Sequence, residues 1–144
     1  MSLVHATVAE VDGYGVVIRG PSGSGKSDLA LRLIEAGGRL VSDDYVSLSA
    51  RDGTLFATPP ETIAGLLEVR GLGLVQVPWL SVCEVALVVD LVASEDVPRL
   101  PAVSWASLRG TRVRRMALDP FEVSAVAKVR LAVQSVHSNI IQNK

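Results

Sequence analysis

Eight residues constrain this chain more than any others: Gly20-Pro21-Ser22-Gly23-Ser24-Gly25-Lys26-Ser27. They match G-x-x-x-x-G-K-[ST] in full, and their surroundings give the match meaning. Before them runs Val16-Val17-Ile18, an apolar β-prone stretch. After them Leu29, Ala30, Leu33 and Ile34 recur at helical spacing until Gly37-Gly38 stops the pattern. A strand, a glycine loop and a helix in that order make a phosphate cradle. The glycines let consecutive N–H groups converge on phosphate oxygens, and the helix N-terminus adds partial positive charge. Lys26 is the mobile cation for the β- and γ-phosphates, and the Ser27 hydroxyl is placed for a Mg²⁺ that bridges them. The bland alternative, a chance glycine-serine turn ahead of a helix, does not need that order.

The remaining sequence reads as one domain, residues 1–144. With 49% hydrophobic residues and a mean hydropathy of +0.37, disorder is excluded. The central apolar run Val85-Ala86-Leu87-Val88-Val89 is far short of the ~20 residues needed to span a bilayer. Met1-Ser2-Leu3-Val4-His5 lacks the basic-then-apolar order of a secretory signal. One cysteine, Cys83, excludes a disulfide framework and a cysteine zinc cluster, and reads as a small buried hydrophobe. Fourteen basic against fifteen acidic residues argue against a nucleic-acid or polybasic membrane binder. The expectation is a soluble, cytoplasmic domain with no nucleic-acid or membrane partner.

Val4 to Val11 is expected to be a strand that turns at Asp12-Gly13 into the Val16–Ile18 strand. Further strands are expected over Arg39 to Leu48, Thr54 to Thr58, Leu72 to Val77, Val82 to Val92 and Thr111 to Leu118. A short helix is expected over Glu61 to Leu67 and a loop over Val97 to Ser104. A final amphipathic helix is expected to begin at Asp119-Pro120. An antiparallel hairpin beside interleaved strands and helices predicts an α/β domain with a mixed sheet and flanking helices.

A phosphate loop needs an acidic partner, and the candidates are Asp43-Asp44 and Asp90, each following an apolar strand. If the strand continues through Tyr45-Val46, Asp43 and Asp44 point to opposite faces and only one meets the phosphates. His5 alone is more often structural, and His137 reads as a surface residue. Glu68-Val69-Arg70-Gly71-Leu72-Gly73-Leu74 sets two charges in an apolar stretch, where they must pair or face a ligand. Trp79 and Trp105 read as core.

Taken together, a histidine ahead of the hairpin, Gly-Pro-Ser-Gly-Ser-Gly-Lys-Ser, Arg39-Leu40-Val41-Ser42-Asp43-Asp44 and Leu67-Glu68-Val69-Arg70-Gly71-Leu72-Gly73 resemble the catalytic domain of the HPr kinase/phosphorylase family. Those bacterial enzymes phosphorylate a serine of the phosphocarrier HPr in the phosphotransferase system. The resemblance is clearest from His5 to Val77. It implies a phosphoenolpyruvate-carboxykinase-like P-loop fold, ATP and Mg²⁺, an HPr-like partner and a homo-oligomer, the family hexamer. Asp44 matches the aspartate that accepts the serine proton, with Asp43 in support, and His5 matches a histidine near the transferred group. Lys26 and the loop amides would hold the nucleotide, Ser27 and Glu68 the magnesium. Leu67 to Gln76 matches the signature needed in both directions, and Arg99 matches a catalytic arginine.

Two departures stand beside the resemblance. Family members usually carry a separate N-terminal domain, and this sequence starts almost at His5, which reads as a short form or an excised domain. The family's Pro-Val-Arg-Pro-Gly-Arg-Asn-like loop is replaced here by Val113-Arg114-Arg115-Met116-Ala117-Leu118-Asp119-Pro120. Little phosphorolysis is therefore expected. The alternatives are a small-molecule P-loop kinase and a non-catalytic nucleotide sensor. The first usually needs a lid helix and substrate domain for which the chain has little room, and a sensor would not require His5, Asp44 and Glu68.

Overall fold

The computed structural model describes residues 3–138. Met1 and Ser2, at the head of the stretch read for a signal, and the His137 side chain lie outside the described residues. In chain order the elements are β1 (Val4–His5), β2 (Thr7–Val11), β3 (Tyr14–Arg19), α1 (Lys26–Glu35), β4 (Arg39–Ser42), β5 (Tyr45–Arg51) and β6 (Thr54–Thr58). They continue with β7 (Leu66–Val69), β8 (Gly73–Gln76), β9 (Cys83–Leu91), β10 (Ser104–Leu108), β11 (Thr111–Leu118) and α2 (Ala125–Ser138).

The two most apolar runs, β3 and β9, lie side by side and parallel in the middle of a nine-stranded sheet. Their side chains alternate between two cores, as the two-residue period of a strand requires. Val16, Ile18, Leu87 and Val89 face one core with Leu29 and Leu33 of α1 and Val129 and Val133 of α2. Val17 and Val88 face the other with Val46, Leu48, Leu55 and Val113. Burial on both faces explains why these strands are continuously apolar. The parallel pairs β3·β9 and β9·β11 stand among antiparallel ones, so the expected mixed α/β sheet is the observed fold.

Two expected strands prove to be broken, and the breaks face each other. The chain leaves β1 at Ala6, and it leaves β4 at Asp43-Asp44. On one side of the breaks β1 pairs with β5 (His5 opposite Tyr45); on the other β2 pairs with β4 (Val8 opposite Ser42). The kinks are tied together by the Ala6 N–H, which donates to the Asp44 carbonyl at 3.0 Å. Asp44 has φ 71°, and the Tyr45 N–H closes a three-residue turn onto the Asp43 carbonyl at 2.8 Å. Aspartate is among the few side chains that tolerate the left-handed region.

Other expectations are corrected. The helix expected over Glu61 to Leu67 is a single 3₁₀ turn, Glu61–Ile63, followed by β7, whose hairpin with β8 pairs Leu67 with Val75 and Glu68 with Leu74. β10 was expected to be loop at its start; it pairs with β11. The last helix begins at Ala125, not at Asp119-Pro120. Trp79 and Trp105 are 41% and 47% exposed rather than core, with the Arg112 guanidinium 4.2 Å above the Trp105 ring. Cys83 is buried as expected. Among the described residues no helix is long and apolar enough to cross a membrane.

Candidate active site

Residues 20–25 form the expected bend between β3 and α1, at one end of the central parallel strands, and Lys26 and Ser27 open the helix. Gly25 turns the chain into α1 with φ 104°, a conformation that side chains rarely adopt. The Lys26 side chain is 7% exposed and donates to the carbonyls of Gly20 (2.7 Å) and Pro21 (3.1 Å). Its charge thus rests on the loop's own backbone, a contact that phosphate oxygens can replace.

Beside the loop the paired kinks deliver two carboxylates in different states. Asp43 is 6% exposed and accepts three hydrogen bonds. The Thr7 hydroxyl (3.0 Å) and the Ser27 hydroxyl (2.7 Å) reach its Oδ1, and the Glu68 N–H (3.1 Å) reaches its Oδ2. The Asp44 side chain is 59% exposed, and its Oδ1 lies 2.8 Å from His5 Nε2. The His5 ring is further tilted against Tyr45, with centroids 5.3 Å apart. Both acids line the same cavity, so the expected separation onto opposite faces is not observed; the turn at Asp44, not strand alternation, gives them different partners.

A cavity of about 740 Å³ gathers these groups. It is lined by Lys26, Ser27, Asp43, Asp44 and Glu68, with Arg70 at the β7–β8 turn and Phe121 beyond β11. His5 joins it through Asp44. Of the signature residues, Leu67 is fully buried under the site and Glu68, Val69 and Arg70 line it, while Leu72 is 77% exposed beyond the turn at Gly71 and ahead of Gly73. Arg99 lies in the exposed segment after β9, outside the described lining.

Asp90 is not part of this site. Arg19 grips it with two bonds (2.7 and 2.9 Å), and Arg115 adds a third at 2.5 Å. Burial alone pushes its carboxyl up, but the two guanidiniums together hold it below the ordinary carboxylate range. It clasps β3, β9 and β11 together.

Two site residues went unread in the sequence. Thr7 is fully buried, donates to Asp43 and accepts the Asp44 N–H at 3.2 Å, so one hydroxyl joins both acids. Phe121, read as the start of a helix, instead stands at the cavity wall. In sequence Thr7 looks like any β-branched strand residue, and no local signal distinguishes it.

Residues 1–100 match the family model described as HPr Serine kinase C-terminal domain. The HPr kinase/phosphorylase of Clostridium botulinum (strain Eklund 17B / Type B) is 46% identical over 77 residues, covering 54% of this chain and 25% of that protein. The protein of the same name from Streptococcus thermophilus (strain CNRZ 1066) is 48% identical over 75 residues, 51% of this chain and 24% of that one. The chain thus spans about a quarter of the length of these curated relatives. Among solved structures, that of the Hpr(Ser) kinase/phosphatase from Coxiella burnetii superimposes with a TM-score of 0.82 at 26% identity, covering 94% of this chain and 95% of that one.

Proposed function

This chain belongs to the HPr Serine kinase C-terminal domain family, and we propose that it transfers the γ-phosphoryl group of ATP to a serine hydroxyl of an HPr-like carrier protein. The observation that carries this reading is the unequal pair of acids beside the phosphate loop. Asp43 is buried, accepts from three donors and is fixed against Ser27, so it is a scaffold. Asp44 is exposed, is held by His5 through one oxygen, and keeps its other oxygen free of partners among the described residues. A serine hydroxyl is a weak nucleophile at neutral pH, and a positioned carboxylate supplies what it lacks.

In this reaction the serine oxygen bonds to the γ-phosphorus and the bond from that phosphorus to the β,γ-bridging oxygen breaks. The serine proton passes to Asp44, and ADP departs with the electron pair of the broken bond. Lys26 leaves the Gly20 and Pro21 carbonyls for the phosphate oxygens, where its charge opposes the negative charge that develops. Glu68 and Arg70, which line the same cavity, are the charged groups we assign to the approach of the protein substrate.

The oxygen donors fit a magnesium ion. Among the described residues no group of three or more His, Cys, Asp and Glu could hold a metal alone. The Ser27 hydroxyl and the Glu68 carboxylate would instead hold it together with phosphate and water oxygens, as small hard cations require. When bound it neutralises charge on the β- and γ-phosphates.

The forward direction is the one we assign. The segment 113–120, which the resemblance sets against the family's Pro-Val-Arg-Pro-Gly-Arg-Asn-like loop, lies in β11 as far as Leu118, and its Arg115 is committed to Asp90. The test is incubation of the purified chain with Mg²⁺, ATP labelled in the γ-phosphate and HPr-like proteins of the same organism. Label on a serine of one carrier, and little pyrophosphate when phosphate is added to the phosphorylated carrier, is the expected outcome. Label on a small metabolite instead would overturn the protein-kinase reading. The cytoplasm, where ATP and such carriers meet, is the corresponding location.

A further inference from the structure

The cavity extends beyond what a triphosphate needs. Its lining includes Ser27, bonded to Asp43, with Asp44, Glu68 and Arg70, and also Asp28 and Leu31 of α1 and Phe121, the aromatic ring among the described lining residues. Phe121 is the lining residue that abuts the loop at Gly25. With the γ-phosphate at the acids, the ring beside Gly25 is the apolar surface the cavity offers to the nucleoside.

Phe121 is 72% exposed, and a single exposed apolar side chain would ordinarily signify nothing. This one is held in place. Its N–H donates to Asp119 Oδ1 at 2.9 Å, fixing the turn. The guanidinium of Arg32 binds the carbonyl of the preceding Pro120 and, at 3.1 Å, Asp28 one helical turn away. The ring edge thereby rests on the loop: a Cβ added to Gly25 would come within 3.3 Å of it and within 3.4 Å of Pro120. One ring thus stands beside a phosphate cradle on a turn that is fixed.

We infer that Phe121 is the stacking platform for the base of the bound nucleotide. The inference rests on the nucleotide reading given above. Stacking uses the π-face that every base has, so the platform confers affinity for a nucleoside without reading its edges. Adenine and guanine nucleotides should therefore bind similarly, with selection for ATP left to its abundance.

The experiment is calorimetric titration of the full chain with Mg²⁺-ADP and, separately, with Mg²⁺-tripolyphosphate, which has the phosphates but no base. Phe121→Ala should weaken ADP roughly tenfold, the loss expected when one stacked base loses its ring, and leave tripolyphosphate within about twofold. Phe121→Trp should keep ADP affinity. Against the background of Trp79 and Trp105, its added fluorescence should be quenched by ADP and not by tripolyphosphate. Unchanged ADP affinity in Phe121→Ala, or an equal loss for both ligands, would overturn the assignment while leaving the kinase reading intact. A wild-type chain that bound neither ligand would instead overturn the kinase reading.

Discussion

His5 Nε2 lies 2.8 Å from Asp44 Oδ1, although 39 positions separate the two residues. The pairing of β1 with β5 sets this contact, and the ring is steadied by Tyr45. With Nε2 donating, His5 fixes one carboxylate oxygen of Asp44, and on the proposed reading the other accepts the serine proton. His5→Leu should lower kcat by roughly tenfold, while the KM for ATP changes little, because the lost bond orients the acid and not the nucleotide. His5→Gln, which can still donate, should recover part of that loss. Steady-state kinetics at fixed carrier concentration would read both.

Thr7 is the hinge pin of the two acids. Thr7→Val keeps the shape but removes the hydroxyl, leaving the Asp44 N–H without its partner and Asp43 with two donors in place of three. A buried group left unpaired costs about 1–3 kcal/mol, so the variant should melt several degrees lower and lose kcat as Asp44 drifts. Thr7→Ser should restore both. A Thr7→Val protein with full stability and full kcat would show that the acids hold themselves.

Acid stability should report the Asp90 clasp. Its folded pKa lies below its unfolded one, so the unfolded chain binds more protons in that window and stability rises with pH through it. The contribution is present at neutral pH and is lost as pH falls through the ordinary carboxylate range, near pH 4, toward the lower folded value. Asp90→Asn should melt lower at pH 7 and show a shallower loss of stability below about pH 4 than wild type. Thermal melts across pH 3–7 test this.

Cys83 should be inert in the folded chain. Burial, with help from Glu10, pushes its thiol up to about 11, and it is 6% exposed. A thiol-specific disulfide reagent at pH 8 should react slowly with native protein and at once after denaturation. Fast labelling of native protein would mean that the end of β9 opens readily.

What the sequence disclosed divides by the range of the interactions. The phosphate loop was legible because Gly20–Ser27 encodes its own geometry, and β3 and β9 were legible because burial on both faces leaves an unbroken apolar run. The 3₁₀ turn at Glu61–Ile63 followed by β7 was misread as a helix, because Leu66 and Leu67 are extended only by pairing with Gln76 and Val75 across a hairpin. The break at Asp44 was equally hidden. It depends on Ala6 and Thr7, which meet it from a distant part of the chain. Strand alternation puts Asp43 and Asp44 on opposite faces with only one at the phosphates, whereas the turn at Asp44 brings both to the same cavity with different partners. Phe121 escaped notice because Asp119-Pro120 carries a helix-start signal that here caps a turn against α1.

The division of labour between the two acids is tested most directly by Asp44→Asn, measured for both transfer and nucleotide binding. The substitution keeps size and shape, so Mg²⁺-ADP should bind within about threefold of wild type while phosphoryl transfer to the carrier serine falls by about 100-fold or more. Transfer at near wild-type rate by Asp44→Asn, with binding intact, would contradict the assignment of the exposed acid as the proton acceptor.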